Sequence, residues 1–240
     1  MSLLRPEEYA RYPAAVSVRL PEVPSDRRLA ALARRVVSCR ACPRLVEYLA
    51  ETKRRWPDFW CRPVPGVGDP KARLVIVGLA PGRRGSNRTA RMFTGDASGV
   101  WLFRVLHATG FSPRERSERA DDGLVLDDCW ITAAARCAPP GNKPLPSELD
   151  ACRPFLAEEL RLLPNRRVLL ALGKIGHDAV LKTYGVRLSA FPFSHGAHHA
   201  LPDGRLLLDC YHCSRQNTQT GKLTWPMFLS VFRRASSLLR

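Results

Sequence analysis

Three patterns in this 240-residue chain combine residue types that can do chemistry at close quarters. Residues 78–99 read G-L-A-P-G-R-R-G-S-N-R-T-A-R-M-F-T-G-D-A-S-G. Gly78, Gly82, Gly85, Gly95 and Gly99 let backbone come close to a flat or charged ligand. Arg83, Arg84, Arg88 and Arg91 add positive charge, and Phe93 adds an aromatic face. Such a set suits a nucleotide with a stacked base and gripped phosphates; it would equally make a solvated basic loop. The second pattern is His212-Cys213-Ser214-Arg215-Gln216-Asn217. The third is a cysteine series, Cys39-x2-Cys42 followed by Cys137-x14-Cys152. Four thiolates suit a [4Fe–4S] cluster or zinc, and spacing does not choose between them.

The surrounding elements must bring these patterns together. Leu74-Val75-Ile76-Val77 is an apolar run of the kind buried on both faces of a parallel sheet. Similar runs occur at Cys129–Ala134, Arg167–Leu172 and Leu206–Cys210. Each precedes a helical pattern: 100–108 with Val100, Phe103, Leu106 and His107 on one stripe, one from Ser147 with Asp150 in a capping box, 174–184, and 225–239 capped by Thr224. Four strand-helix units predict a three-layer α/β/α sandwich with a central four-stranded parallel sheet. Residues 78–99, the loop with Asn142 and the His212 segment all follow strand C-termini, where open α/β folds bind ligands. Asp96 stands where it could cap the next helix. Upstream, a helix capped by Ser25 or Asp26 ends at Cys39, a second covers about 45–54, and residues 56–68 form an aromatic, Pro/Gly-rich insert expected to cover a sheet edge.

The chain is expected to be one domain over 1–240, with an N-terminal arm at 1–24 and cluster-bound helices plus insert at 25–70. Its net charge is +16, and ten Lys/Arg against three Asp/Glu lie between Lys71 and Arg119. Charge gathered beside the Gly-rich stretch favours a polyanion, above all nucleic acid. No apolar run approaches the ~18 residues of a membrane span, and no secretory signal is legible, so a cytoplasmic monomer is expected. In that setting eight cysteines point to metal before disulfide. Cys61, Cys210 and Cys213 read as ordinary thiols. His195, His198 and His199 lack the helical spacing of a zinc motif.

Residues 78–99 resemble motif 1 of the uracil-DNA glycosylase superfamily, and N-R-T-x-R-x-F-T-G-D-x-S-G within them resembles its fifth, iron–sulfur family. His212-x-Ser214 resembles motif 2, and the likeness spans about Cys39 to Trp225. It implies a DNA repair enzyme that flips uracil and other deaminated bases out of DNA and hydrolyses the N-glycosidic bond. It favours a [4Fe–4S] cluster on Cys39, Cys42, Cys137 and Cys152. By the same resemblance, His212 stabilises charge on the leaving base, Phe93 stacks on it, and Gly78, Ala80, Gly82 and Asn142 line its pocket. Arg83, Arg84, Arg88 and Arg91 would hold DNA, and Arg215, Gln216 and Asn217 would enter the gap left in the stack. The chain departs from other superfamily members at Leu79 and Ala80, where they carry polar water-positioning groups, leaving Asp96 as the nearest acid. It departs again at Ala133, where several carry an Asn reader. The competing reading is a non-catalytic iron–sulfur DNA-binding module.

Overall fold

The computed structural model describes residues 24–240, so the arm expected over 1–24 lies outside it apart from its last residue. Six strands run in chain order: Val67–Gly68 (β1), Leu74–Gly78 (β2), Cys129–Ala133 (β3), Val168–Leu172 (β4), His198–Ala200 (β5) and Leu206–Cys210 (β6). They form one sheet in the order β1-β3-β2-β4-β6-β5. The four central strands are parallel and coincide with the four apolar runs. The expected parallel sheet is therefore present, extended at each edge by a short antiparallel strand, β1 on β3 and β5 on β6. Two- and three-residue strands are too short to show a period, which hid them in the sequence. With β1, the insert becomes the sheet edge itself.

Among the described residues the α-helices are Arg27–Ser38 (α1), Pro43–Arg55 (α2), Ser86–Thr89 (α3), Ala97–Ala108 (α4), Pro146–Leu162 (α5), Lys174–Thr183 (α6), Arg215–Gln219 (α7) and Trp225–Leu238 (α8). Alternating strand residues feed two cores. Leu74, Ile76, Ile131 and Leu170 pack with α4 and α8 through Leu102, Phe103, Phe228 and Phe232. Val75, Val77, Trp130 and Leu169 pack on the other face with α1 and α5 through Leu29, Leu32, Leu156 and Leu160. This gives three layers, and truncating a fully buried residue such as Leu170 to Ala would cost about 2–5 kcal/mol. No described helix is long and apolar enough to cross a membrane.

Two local expectations shift. Helix α4 buries Leu102 and Val105 beside Phe103 and Leu106, while His107 is exposed. Helix α5 starts at Pro146 rather than Ser147, because proline is preorganised for the first helical position. Its first turn is closed by Glu148, whose Oε2 accepts from the Leu145 amide at 2.7 Å, not by Asp150. The chain passes from β2 to β3 on one side, then to β4 and β6 on the other. That reversal opens a crevice at the C-terminal end of β2, where residues 78–99 begin.

Candidate active site

Gly78 ends β2 beside Ala133, the last residue of β3. A Cβ at Gly78 would press on the Phe93 ring, 2.7 Å from its Cζ, so only glycine lets the ring cover this strand end. Phe93 has φ of 53°, a left-handed backbone rare for a bulky residue. Its amide donates to Ser86 Oγ at 2.9 Å, a partner the sequence did not single out. Thr89 Oγ1, bonded to the Gly85 and Thr94 carbonyls, closes the loop from within. Strand β2 itself is regular, whereas the loop after it is held by side chains.

Asp96 caps α4, its Oδ1 accepting from the Gly99 amide at 2.9 Å. Its Oδ2 packs so closely on Gly85 that a Cβ there would collide with it. Burial raises the Asp96 pKa above the usual carboxylate range, against the pull of the Gly99 and Ser98 amides. Asp96 therefore joins the helix start to the glycines of the loop.

His212 follows β6, beside Gly173 at the end of β4. Its ring centroid is 6.0 Å from that of Phe93, with planes 28° apart, so motif 1 and motif 2 share one aromatic wall. Burial lowers its pKa to about 4, which keeps the imidazole neutral at physiological pH. Asn217 Nδ2 donates to the His212 carbonyl at 2.8 Å, and the Ser214 hydroxyl caps α7. Asn217, expected on DNA, is thus turned inward as a tie for the loop. Arg215 and Gln216 are exposed. Asn142 is also exposed, at φ of 57° in a short turn after Pro139.

The four loop arginines separate. Arg83 and Arg84 are exposed, Arg83 lying 5.2 Å from the Trp56 ring centroid. Arg88 is partly exposed and spans the loop through the Arg84 and Gly95 carbonyls. Arg91 corrects the sequence expectation, since its side chain is only 2% exposed and pairs with Asp122 at 2.6 Å. Ser117 Oγ and the Arg119 and Leu124 carbonyls take its other donors. A guanidinium so enclosed ties the loop to the 112–124 connection and does not face a polyanion.

At a separate corner, Cys39 ends α1, Cys42 precedes α2, Cys137 follows β3 and Cys152 sits on α5; all four line one cavity. Burial and the neighbouring thiols push the Cys137 thiol well up, as expected where negative charge would accumulate without a cation. The Arg136 amide donates to Cys152 Sγ at 3.3 Å. Among the described residues, the group with three ligand atoms all within 4.8 Å of one another is His177, His199 and Asp209, not the thiols. A tetrahedral zinc would draw four sulfurs to about 3.8 Å apart. The four thiols line one cavity and are of the type that holds either zinc or an iron–sulfur cluster. Cys61 and Cys213 are buried elsewhere, against Asn87 Nδ2 and the Ser98 carbonyl.

Comparison with known proteins agrees with this geometry. The uracil DNA glycosylase superfamily matches residues 65–235. A type-5 uracil-DNA glycosylase of Thermus thermophilus is 54% identical over 208 residues, covering 85% of this chain and 94% of the relative. One from Mycobacterium leprae is 47% identical over 83% of this chain and 91% of its own length. A type-4 uracil-DNA glycosylase of Archaeoglobus fulgidus is 31% identical over 66% of each chain. With this match across the whole sheet and both motifs, the chain belongs to the uracil-DNA glycosylase superfamily, in its fifth type.

Proposed function

We propose that this protein excises uracil and other deaminated bases from DNA by hydrolysing the N-glycosidic bond, leaving an abasic site. The observation that carries the reading is the meeting of Phe93 and a neutral His212 at the switch point of the sheet. The relatives named uracil-DNA glycosylases support it.

The target base must leave the stack before its glycosidic bond can be reached. Phe93 receives its face, a stacking contact of about 1–3 kcal/mol. As the bond between N1 and C1′ lengthens, the sugar becomes cationic and the base anionic. A neutral His212 donates a hydrogen bond to a base carbonyl as that charge grows. Such a preorganised donor contributes roughly 3–4 kcal/mol to the transition state. Asp96 divides its work, Oδ1 holding the α4 cap and Oδ2 orienting the attacking water over Gly82 and Gly85. A carboxyl with a raised pKa also accepts a proton more readily than an ordinary one. Asn142 offers an amide to the base edge.

Ala133, buried beside Gly78, presents no polar reader at the pocket floor, which supports tolerance of deaminated purines as well as uracil. Arg83, Arg84 and Arg88 hold phosphates, while Arg215 and Gln216 fill the vacated stack. Cys39, Cys42, Cys137 and Cys152 would hold a [4Fe–4S] cluster, which supplies a structural staple between α1, α2 and the loop of Asn142. The test is incubation with duplexes containing uracil, hypoxanthine or only normal bases, followed by alkaline cleavage. Strand breaks confined to the uracil and hypoxanthine positions are expected. Binding without any break would leave a DNA-binding module instead.

A further inference from the structure

The 191–200 segment has no part in the chemistry above, yet its residues 196–200 run antiparallel beside β6 towards the point where His212 emerges. The Asp209 amide donates to the Ala197 carbonyl and the Gly196 amide to the Asp209 carbonyl, both at 2.8 Å. There the backbone ladder stops. The next inward amide, that of Tyr211, donates instead to His195 Nδ1 at 3.1 Å. The ring also interacts with the Met227 backbone at the start of α8. A side chain thus supplies one more rung, anchored to a helix of the core.

Across the strand, the Gly173 amide donates to the Cys210 carbonyl at 2.7 Å. Residues 209–211 are therefore gripped from both sides immediately before His212. The Asp209 carboxylate strengthens the grip from below. His177 Nδ1 lies 2.7 Å from its Oδ1 and His199 Nε2 lies 3.3 Å from its Oδ2. His177 Nε2 reaches the Phe191 carbonyl at 2.8 Å, which pins the same segment. The spacing of this trio would admit a cation, but both nitrogens of His177 already have protein partners.

We infer that His195 is a positioning residue for His212, fixing through the Tyr211 amide the strand end that delivers the imidazole to the departing base. This rests on the catalytic role proposed for His212. Burial lowers the His195 pKa, which favours the neutral ring, and the Tyr211 amide donating to Nδ1 selects the tautomer in which Nδ1 is bare. Loss of the acceptor would leave the Tyr211 amide unpaired and free the strand end to fray. Shifts of about 1 Å at a catalytic group cost up to roughly 100-fold in rate.

Two substitutions separate positioning from packing. His195→Asn keeps an acceptor near the Nδ1 position but loses the ring, which lies 5.0 Å from that of Tyr211. His195→Phe keeps the ring and loses the acceptor. The single-turnover excision rate on a uracil duplex, the melting temperature and the histidine 1H–13C NMR signals are measured for each. We expect His195→Phe to fall at least about tenfold in rate and to move the His212 signal. His195→Asn should stay within about threefold of the parent with its His212 signal in place. The inference is overturned if the Phe variant matches the parent in both readouts, or if Asn is no better than Phe. Should the parent fail to excise uracil, the proposed function falls, while the NMR comparison still decides whether His195 positions His212.

Discussion

The end of the sheet and the cysteine corner are both assembled from distant segments, but they are held by different means. At the sheet end, Phe93, Asp96 and His212 sit in hydrogen bonds made by the chain itself: Ser86 on the Phe93 amide, Gly99 on Asp96, Asn217 on the His212 carbonyl. At the corner, four thiols line a cavity with few protein donors to satisfy them, the Arg136 amide on Cys152 being one. Bringing thiolates together in a buried place is unfavourable without a cation. The first region is preorganised by folding. With the cluster proposed above, the second would depend on what it binds, and that binding would become part of the fold's stability.

The contrast breaks most readily at the cysteines. The purified protein should be brown and contain about four irons per chain. Cys137→Ser should bleach it and lower the melting temperature by roughly 10 °C, as expected from losing several kcal/mol. A colourless parent holding one zinc would overturn the cluster.

At the sheet end, His212→Ala should lower the single-turnover rate roughly 100-fold or more while duplex affinity stays the same. Parallel losses in binding and rate would place His212 in recognition instead. Because burial lowers the His212 pKa to about 4, the neutral donor persists in mild acid. His212 alone should leave the rate flat from about pH 8 to about pH 5, so a fall within that window would report protonation of Asp96, whose pKa is raised. The sign for stability is the same: a lowered histidine pKa favours the fold above the ordinary value of 6.5, and this is lost as pH falls towards 4. Melting curves across that range in the parent and His212→Ala would isolate the contribution.

The arginines give a smaller effect. With about five phosphates neutralised, the log–log salt slope of duplex affinity should be near −4 to −5. Arg83→Ala should reduce it by about 1, whereas Arg91→Ala should leave the slope alone and lower the melting temperature. A slope near zero would take the basic face off the DNA. The smallest effect separates the two oxygens of Asp96. Asp96→Ala should cost about 1 kcal/mol of stability through the lost cap. Asp96→Asn should keep the cap and still slow turnover; an unchanged rate would remove Asp96 from the chemistry.

Much of this molecule follows from local sequence. The four parallel strands are legible because strands buried on both faces are short unbroken apolar runs, and α1 begins after Asp26 because its carboxylate can take the Arg28 and Leu29 amides. Resemblance to the family's motifs singled out Phe93, Asp96 and His212, and with the C-x2-C and C-x14-C spacings it singled out four thiols. Tertiary structure alone decided which way the polar side chains of those motifs point. Arg91 turns inward because Asp122, thirty-one residues away, waits in a loop without periodicity. Asn217 turns back because the His212 carbonyl lacks a strand partner. His195 matters because the β5–β6 ladder ends one rung early, a fact of register between two strands. Local propensity and hydrophobic period encode where elements form. The partner of a polar side chain is set by distances that exist only once those elements have packed.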